Sequence, residues 1–269
     1  MITPRWGSKR ARVLAQEPKD DEGRPYHVRL DRGDVGRVAL LPGDPGRVAK
    51  IAERLTGAKD LGTNREYAAY GGKAGGEKVV VVSTGIGGPA TAIAVEELAR
   101  LGVKVMIRVG TCGAIQSSIK VGSLIIADAA VRMDGTSLQY VRAGYPAAAT
   151  PGVVMALSDA AAALKKTAAV GVAASTDSFY VGQGRKGFGG YLPADRAGVV
   201  EEMRAARVLC FEMESATLFT LGRIFGLKTG AVFAAVGNRM TDEFELEAGI
   251  DDAIDVAVES VKRLKGHSV

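Results

Sequence analysis

The chain has 269 residues, 47% of them apolar and 24% charged, and its 35 glycines follow no triplet period. These values are typical of a globular protein and exclude collagen, coiled coil or disorder as a description of the whole chain. Two cysteines are too few for a disulfide scaffold, no apolar run approaches the roughly 20 residues that span a bilayer, and the first residues lack the apolar core of a signal peptide. We therefore expect a cytoplasmic protein without membrane contact.

The positive charge is concentrated at the N-terminus. Four basic residues near the start of the chain, Arg5, Lys9, Arg10 and Arg12, account for four of the five net positive charges. The remainder is nearly neutral and gives no argument for nucleic-acid binding. The basic segment fits a solvated extension, which we favour, or a contact with nucleic acid or an acidic partner. Because residues 1–35 are polar and lack periodicity, we interpret them as an N-terminal extension before a single domain at 36–269.

Short apolar segments alternate with segments of helical periodicity along the domain. Strands are predicted at 38–41, 78–83, 103–110, 123–131, 169–175 and 229–236. Helices are predicted at 45–55, 89–101, 215–225 and 247–264. Asp44 is suited to N-cap the first helix at Pro45, Pro89 opens the second, and Gly102 closes it. This alternation predicts an α/β fold with a mostly parallel sheet covered by helices.

The segment from Gly85 to Ala90 has the form G-x-G-x-x-A between a strand and a helix, which is typical of a dinucleotide-binding turn. Such a site needs an acid about twenty residues further on to bind a ribose diol. Arg108 stands at that place, and a guanidinium cannot accept a hydrogen bond. The sequence therefore favours a simple tight turn over an NAD-dependent dehydrogenase.

Two segments are suited to bind an anion. Gly43 ends the first strand and precedes a capped helix whose first turn contains Arg47. Arg108 ends a later apolar strand and is followed by a glycine turn and Thr111, at the sheet edge where ligands of α/β proteins bind. A solvated Arg47 and a structural ion pair of Arg108 are the alternative explanations.

Two further segments carry polar groups in suggestive patterns. Glu212 and Glu214 are two residues apart, so on an extended chain they point the same way. They can bind a diol or favour the start of the following helix. Phe179, Gln183 and Arg185 combine an aromatic face with donors and an acceptor, which matches the edge of a pyrimidine. A solvated loop is the alternative for this second segment.

Eight segments between about His27 and about Glu243 form an ordered set: LPGDPGRVAKIAERL, NREYAAY, STGIGGPATAIAVEELARLG, IRVGTCGAIQ, VRMDGTSLQYV, STDSFYVGQGR, CFEMESATL and VGNRM. The set resembles the nucleoside phosphorylase superfamily, and within it the uridine phosphorylases. The resemblance implies one α/β domain with a mixed, largely parallel and partly closed central sheet surrounded by helices. It implies a pentosyltransferase that reversibly converts uridine and phosphate to uracil and ribose 1-phosphate, in a homohexamer built as a trimer of dimers with shared active sites.

The same resemblance implies a role for each matching residue. Phosphate would be bound by Gly43, Arg47, Arg108 and Thr111, and by Arg65 from a neighbouring subunit. Ribose would be bound by Glu212, Met213 and Glu214, and by His27 from a neighbouring subunit. The base would be bound by Phe179, Gln183 and Arg185, with Arg239 supporting the base-binding loop. Among these, the residues with a catalytic role would be Arg108, Gln183 and Arg185.

Asn238 stands where purine-specific relatives carry an Asp that protonates the leaving base, which favours a pyrimidine nucleoside. A phosphorylase of broader or purine specificity is the alternative within the family. No metal or cofactor is implied, and phosphate is a co-substrate. Some relatives bind a monovalent cation between subunits through a Glu matching Glu66, the backbone matching Ile86 and a Ser. Ala90 replaces that Ser here, so we do not expect the ion. The glycine-rich loop after Arg185 departs from the family pattern.

Two functions outside phosphorolysis are also compatible with an α/β domain of this kind: a hydrolytic nucleosidase, and a nucleoside-binding module without turnover. The first would leave three arginines with no phosphate to bind. Against the second, none of the motif residues is missing.

Overall fold

The structure, a computed structural model, describes residues 15–269. The basic residues Arg5, Lys9, Arg10 and Arg12 lie outside this part of the chain. The strands are β1 (Val38–Pro42), β2 (Thr56–Asn64), β3 (Tyr67–Ala74), β4 (Glu77–Val82), β5 (Val105–Ala114), β6 (Leu124–Met133), β7 (Ala147–Ala148), β8 (Ala168–Thr176), β9 (Cys210–Glu212), β10 (Lys228–Asn238) and β11 (Glu243–Phe244).

The helices are α1 (Pro45–Ala52), α2 (Gly88–Leu101), α3 (Thr136–Tyr140), α4 (Pro151–Ala163), α5 (Val199–Ala205), α6 (Ser215–Ile224) and α7 (Ile250–Arg263). Every strand and helix predicted from the sequence is present, with ends shifted by up to four residues. None of the helices in residues 15–269 is long and apolar enough to cross a membrane.

The strands described form one mixed sheet that closes partly on itself. Their order is β11-β10-β6-β8-β9-β5-β1-β4-β3-β2, with β7 beside β6, and β10 also pairs with β5. The strands β10, β6, β8, β9 and β5 therefore form a closed ring, from which β1, β4, β3 and β2 extend. The pairs β1/β4, β1/β5, β5/β10, β6/β8 and β8/β9 are parallel. The other six pairs of the described strands are antiparallel, so the sheet is less parallel than predicted. The predicted α/β class with a mixed, partly closed sheet is confirmed.

Strand β4 shows why helices cover both faces of the sheet. Val79 and Val81 pack on one face with apolar residues of α1, α4 and α7, whereas Val80 and Val82 pack on the other with residues of α2 and α6. All four valines are fully buried. A strand buried on both faces reads as a continuous apolar run, which is the pattern of this segment.

The ends of two helices follow their predicted chemistry. The Asp44 carboxylate accepts a hydrogen bond of 2.9 Å from the backbone N–H of Gly46 and so caps α1. Gly102 adopts a φ of 107° after the last residue of α2, a conformation that glycine adopts without steric cost. The cap on α1 fixes the start of this helix at the carboxyl end of β1.

The expectation that Arg108 ends its strand is wrong, and the strand also continues past the predicted end at residue 110. β5 continues from Arg108 to Ala114, and the expected glycine turn is part of the strand. The cause is long-range pairing, since β10 accompanies β5 in parallel along its whole length. Gly110 is paired with Phe233, and a Cβ on this glycine would lie 2.8 Å from the phenyl ring.

The domain boundary after residue 35 stays a prediction. Part of residues 1–35 packs against the domain, because Val28, Leu30 and Val35 are buried in the same core cluster as the apolar face of α2.

We expect Gly36→Ala to destabilise the protein by about 1–3 kcal/mol, as overpacking typically does. A Cβ at this position would lie 2.0 Å from the carbonyl oxygen of Lys78, which belongs to the backbone of β4. The free energy of unfolding, measured by urea titration, checks this. Gly144→Ala is the matched control because a Cβ there meets nothing within 4 Å. Equal stability of the two variants would contradict the prediction.

Candidate active site

A cavity of about 880 Å³ lies at the carboxyl ends of β1 and β10. Most of the predicted site residues line it: Gly43, Arg47, Arg108, Thr111, Phe179, Gln183, Arg185, Glu212, Met213, Glu214 and Arg239. His27 and Arg65 are not among the lining residues. The volume is within the range of sites for small molecules.

A buried ion group occupies the centre of the cavity wall. Arg108 is only 6% exposed. Its Nε lies 3.3 Å from an oxygen of Glu212, and its Nη2 contacts an oxygen of Glu214. Both carboxylates point toward the same guanidinium, as their two-residue spacing predicts. The structural ion pair considered for Arg108 is therefore present, at the wall of the cavity.

The two carboxylates have different backbone partners. Glu212 accepts hydrogen bonds from the N–H groups of Glu214 (2.9 Å) and Ser215 (3.0 Å), and from the hydroxyls of Ser175 and Ser215. Glu212 therefore caps the start of α6. Glu214 accepts a bond of 2.6 Å from the N–H of Gly87, at the start of α2. Of the two carboxylates, Glu214 keeps fewer bonds to the protein and is the freer one to bind a hydroxyl.

Burial raises the pKa of Glu214 above its ordinary value. The Arg108 cation opposes this shift, and the Glu212 carboxylate adds to it. Glu214 therefore takes up a proton at a higher pH than an exposed glutamate does.

Two turns approach each other closely at one end of the cavity. A Cβ on Gly43 would lie 3.0 Å from the carbonyl oxygen of Gly85 and 3.7 Å from Nη1 of Arg108. Gly85 and Gly87 have φ values of 67° and 92°, so the sequence GIGG forms a tight turn that requires glycine. Glycine at position 43 thus lets a small ligand reach the backbone between the two turns.

The same end of the cavity is strongly cationic. Arg47, in the first turn of α1, donates a hydrogen bond of 3.3 Å to the carbonyl of Val109. Burial lowers the pKa of Arg47; Asp44 opposes this shift, and the nearby Arg108 cation adds to it. Nη1 of Arg108 has no hydrogen-bond acceptor within residues 15–269. Two guanidinium groups, the Thr111 hydroxyl and a helix N-terminus therefore converge on a place suited to a dianion.

A further part of the cavity wall, which we call the aromatic–amide end, holds the ring of Phe179 and the amide of Gln183. The guanidinium carbon of Arg185 lies 4.2 Å from the centre of the Phe179 ring. Nη1 of Arg185 donates to the carbonyl of Phe179 at 2.7 Å and to the side-chain oxygen of Gln183. Gln183 in turn donates to the hydroxyl of Thr176 at 3.2 Å. These contacts hold the three side chains of Phe179, Gln183 and Arg185 together at the cavity wall.

Arg239 holds the backbone at Gln183 in place, because its guanidinium donates a hydrogen bond to the carbonyl oxygen of Gln183. Burial lowers the pKa of Arg185, and the neighbouring Arg239 cation contributes to the shift. A ligand that gains negative charge at this end would relieve the repulsion between the two cations.

Asn238, the position at which the resemblance led us to expect selectivity against purines, is 2% exposed. Its amide donates to the carbonyls of Gln116 (3.0 Å) and Ile119 (2.6 Å), and its oxygen accepts a bond of 2.8 Å from the N–H of Met240. This side chain is therefore fully engaged in holding the loop after β5 and carries no acidic proton.

His27 and Arg65 lie together on the surface, outside the cavity of their own chain. The rings of Tyr26 and His27 meet edge to face with centres 4.9 Å apart. Arg65, on the turn between β2 and β3, donates a hydrogen bond of 3.2 Å to the hydroxyl of Tyr26. We name these three residues the Tyr26–His27–Arg65 cluster.

The sequence did not point to several residues of the cavity wall. Cys112 lies next to Thr111 on β5, and Glu243 and Phe244 form β11, which folds back on β10. Phe244 is 72% exposed although it lies at the cavity. The sequence offers one signal, an aromatic residue inside the polar segment TDEFE. This signal alone does not predict the hairpin of β10 and β11 that brings Phe244 to the cavity.

Within residues 15–269, no three His, Cys, Asp or Glu side chains are grouped so that they could hold a metal ion. Glu66 lies against the GIGG turn: a Cβ on Gly85 would be 3.1 Å from its Cγ. The expectation about a monovalent cation at this glutamate stays untested.

Comparison with known proteins decides the family. The model of the phosphorylase superfamily matches residues 37–267. The chain belongs to the phosphorylase superfamily. It is 52% identical over 252 residues to a uridine phosphorylase of Thermococcus kodakarensis, a match that covers 94% of this chain and 91% of that protein. It is 40% identical to a uridine phosphorylase of Escherichia coli over 89% of this chain and 97% of the relative.

A guanosine phosphorylase of Halorubrum lacusprofundi is more distant, with 35% identity over 88% of this chain and 93% of the relative. The two relatives with higher identity are thus both named uridine phosphorylase, and the comparisons favour that activity over guanosine phosphorolysis.

We expect Glu212→Ala to cost about 3–5 kcal/mol of stability, because the change leaves the buried Arg108 with one partner fewer. It also removes the cap of α6. Urea unfolding followed by circular dichroism measures the effect. Glu202→Ala, at an exposed position on α5, serves as the control and should stay within about 0.5 kcal/mol of the wild type. A loss of similar size in both variants would show that the ion group contributes nothing particular.

Proposed function

We propose that this phosphorylase catalyses the reversible phosphorolysis of uridine to uracil and ribose 1-phosphate, a reaction of pyrimidine nucleoside salvage. The observation that carries the proposal is one cavity with a cationic end, a central carboxylate pair and an aromatic–amide end. These three parts supply the kinds of group that bind phosphate, ribose and uracil. The relatives named uridine phosphorylase support the same choice.

Phosphate binds at the end formed by Gly43, Arg47, Arg108 and Thr111. Two guanidinium groups hold the dianion and orient one of its oxygens toward the anomeric carbon of the ribose. The anomeric carbon becomes positively charged as the glycosidic bond breaks, and the phosphate oxygens beside it stabilise that charge. No covalent intermediate with the protein is required.

Ribose binds at the carboxylate pair, with Met213 between the two acids. Glu214 accepts hydrogen bonds from the sugar hydroxyls, because its carboxylate has fewer bonds to the protein. Glu212 keeps the cap of α6 and holds Arg108 in place. The sugar is thereby fixed between phosphate and base.

Uracil binds against Phe179, where Gln183 and Arg185 contact its polar edge and Arg239 supports the loop beneath. The leaving base gains negative charge on its oxygens, and cationic donors aimed at them stabilise the transition state. Removal of one such donor typically lowers kcat by about 10²–10³.

A purine nucleoside is the second candidate because of the guanosine phosphorylase among the relatives. The bonds of Asn238 count against it. Its neutral amide is engaged with two backbone carbonyls and offers no proton to a purine leaving group.

We further propose a cytoplasmic homohexamer, a trimer of dimers in which neighbouring subunits share active sites. His27 and Arg65 support this arrangement, because they lie together on the surface rather than in the cavity of their own chain. In the assembly they would complete the ribose and phosphate sites of the next subunit.

The test follows uridine absorbance with purified protein in the presence and absence of inorganic phosphate. We expect loss of uridine only with phosphate, with ribose 1-phosphate as product. Loss without phosphate would mean hydrolysis and would contradict the role of the arginines. A parallel series with thymidine, inosine and adenosine tests the base preference, and faster turnover of inosine than of uridine would favour the purine candidate.

Variants of the cationic end make the test residue-specific. Arg47→Ala should raise the KM for phosphate about 10–100-fold, as expected for the loss of a charge-assisted contact. Lys50→Ala, one turn further along α1 and paired with the exposed Glu247, is the control and should leave the KM for phosphate unchanged. Arg108→Ala should abolish turnover. Near-wild-type turnover in that variant would overturn the phosphate assignment.

The raised pKa of Glu214 predicts an acid limb for uridine binding. The carboxylate loses its charge as the pH falls through a pKa above the ordinary 4.5, and the protonated acid accepts fewer hydrogen bonds from the ribose. We therefore expect the KM for uridine to rise as the pH is lowered through that value. The measurement holds the concentration of phosphate dianion constant, and a KM that is independent of pH from 7 down to about 4.5 would contradict it.

A further inference from the structure

A buried glutamate on α2 holds the segment that contains His27. Glu97 is 7% exposed. Its carboxylate accepts hydrogen bonds from the backbone N–H groups of His27 (3.2 Å) and Val28 (2.8 Å), and it lies 2.7 Å from Nδ1 of the His27 ring. Three donors thus converge on one carboxylate from a segment 70 residues away in the chain.

This contact determines which nitrogen of the ring is available. An ionised carboxylate accepts hydrogen bonds and donates none, so a bond of 2.7 Å requires the proton on Nδ1. Nε2 is left for a contact outside the chain. The ring also meets Tyr26 and Tyr67 edge to face, with centres 4.9 Å and 6.2 Å away, and Asn64 donates a bond of 2.7 Å to the His27 carbonyl. The imidazole is therefore fixed in place and in protonation pattern while its side chain is 26% exposed.

We propose that Glu97 is a positioning residue for the reaction: it fixes the ring and the tautomer of His27 so that Nε2 accepts a hydrogen bond from the ribose 5′-hydroxyl in the site of a second copy of the chain. The inference rests on the proposed function, in which His27 contributes to a neighbouring site. It adds a residue that touches neither the cavity nor the substrate. If Glu97 only held the backbone of His27 and Val28, the two N–H bonds would be enough. The additional bond to Nδ1 orients the His27 ring itself.

Glu97→Gln is the informative change because it keeps shape and size. The amide of glutamine has one accepting oxygen and an NH₂ group that only donates. With three donors around it, that NH₂ group must face either a backbone N–H or the ring. In the second case Nδ1 has to give up its proton to Nε2, which reverses the tautomer. Glu96→Gln is the matched control, since Glu96 is the neighbouring acid on α2 and pairs with Arg100 at the surface.

The first experiment does not depend on any activity. The chain has two histidines, so ¹⁵N–¹H correlation spectra of the His267→Gln protein report on His27 alone. We expect the neutral ring to carry its proton on Nδ1, and we expect Glu97→Gln to shift the proton toward Nε2. A neutral ring protonated on Nε2 in the protein with Glu97 intact would overturn the inference, whatever reaction the protein catalyses.

The second experiment compares uridine with 5′-deoxyuridine, which lacks the hydroxyl in question. Glu97→Gln should lower kcat/KM for uridine about 2–10-fold, the scale of one hydrogen bond between neutral groups, and should leave 5′-deoxyuridine and the KM for phosphate unchanged. Glu96→Gln should change none of these. In a His27→Ala background, Glu97→Gln should add no further loss, because the two residues act through one contact.

Equal losses for both nucleosides, or a further loss in the His27→Ala background, would overturn the positioning role. Wild-type protein that leaves uridine intact with phosphate present would instead overturn the proposed function and the 5′-hydroxyl contact with it. The tautomer spectrum would then still decide whether Glu97 controls the His27 ring, so the two failures are distinguishable.

Discussion

The cavity depends on the burial of Arg108 against two carboxylates. A guanidinium that is 6% exposed is costly to bury alone, and Glu212 and Glu214 compensate its charge. The same carboxylates bond to the starts of two helices, Glu212 to α6 and Glu214 to α2 through Gly87. One ion group therefore sets the relative positions of β5, β9 and both helices, and with them the shape of the central cavity wall.

This ion group has two tasks under the proposed reaction. Without substrate, Arg108 balances the carboxylates, which would otherwise repel each other in a buried place. When phosphate enters, the dianion also contacts Arg108, and the sugar hydroxyls offer Glu214 new hydrogen-bond donors. The two substrates thus supply complementary partners to the two halves of one ion group.

The predictable parts of the site are local in sequence. The Asp44 cap and the common direction of Glu212 and Glu214 follow from spacings of two or three residues. The continuation of β5 beyond Arg108 depends on pairing with β10, more than 100 residues further on, and no local pattern signals it. The sequence does not predict strand β2. Its residues are mostly exposed, and the segment therefore lacks the alternation of apolar and polar residues that marks a half-buried strand.

The sequence does not predict the contact between Glu97 and His27, because this contact is also long-range. Its partners are 70 residues apart, and a lone glutamate on an amphipathic helix reads as a solvated side chain. The grouping of His27 with Arg65 through Tyr26 likewise appears only once the hairpin of β2 and β3 is placed beside the segment before β1.

The closed ring of strands has a consequence for precision. β9 is only three residues long, yet it pairs with β5 on one side and β8 on the other. A short strand at the edge of an open sheet would fray, but here Cys210 and Phe211 are paired on both sides, and Glu212 continues the pairing with β8. The position of this carboxylate is therefore set jointly by strand pairing within the ring and by its bonds to the start of α6, so the centre of the cavity is anchored to the sheet and to a helix at the same point.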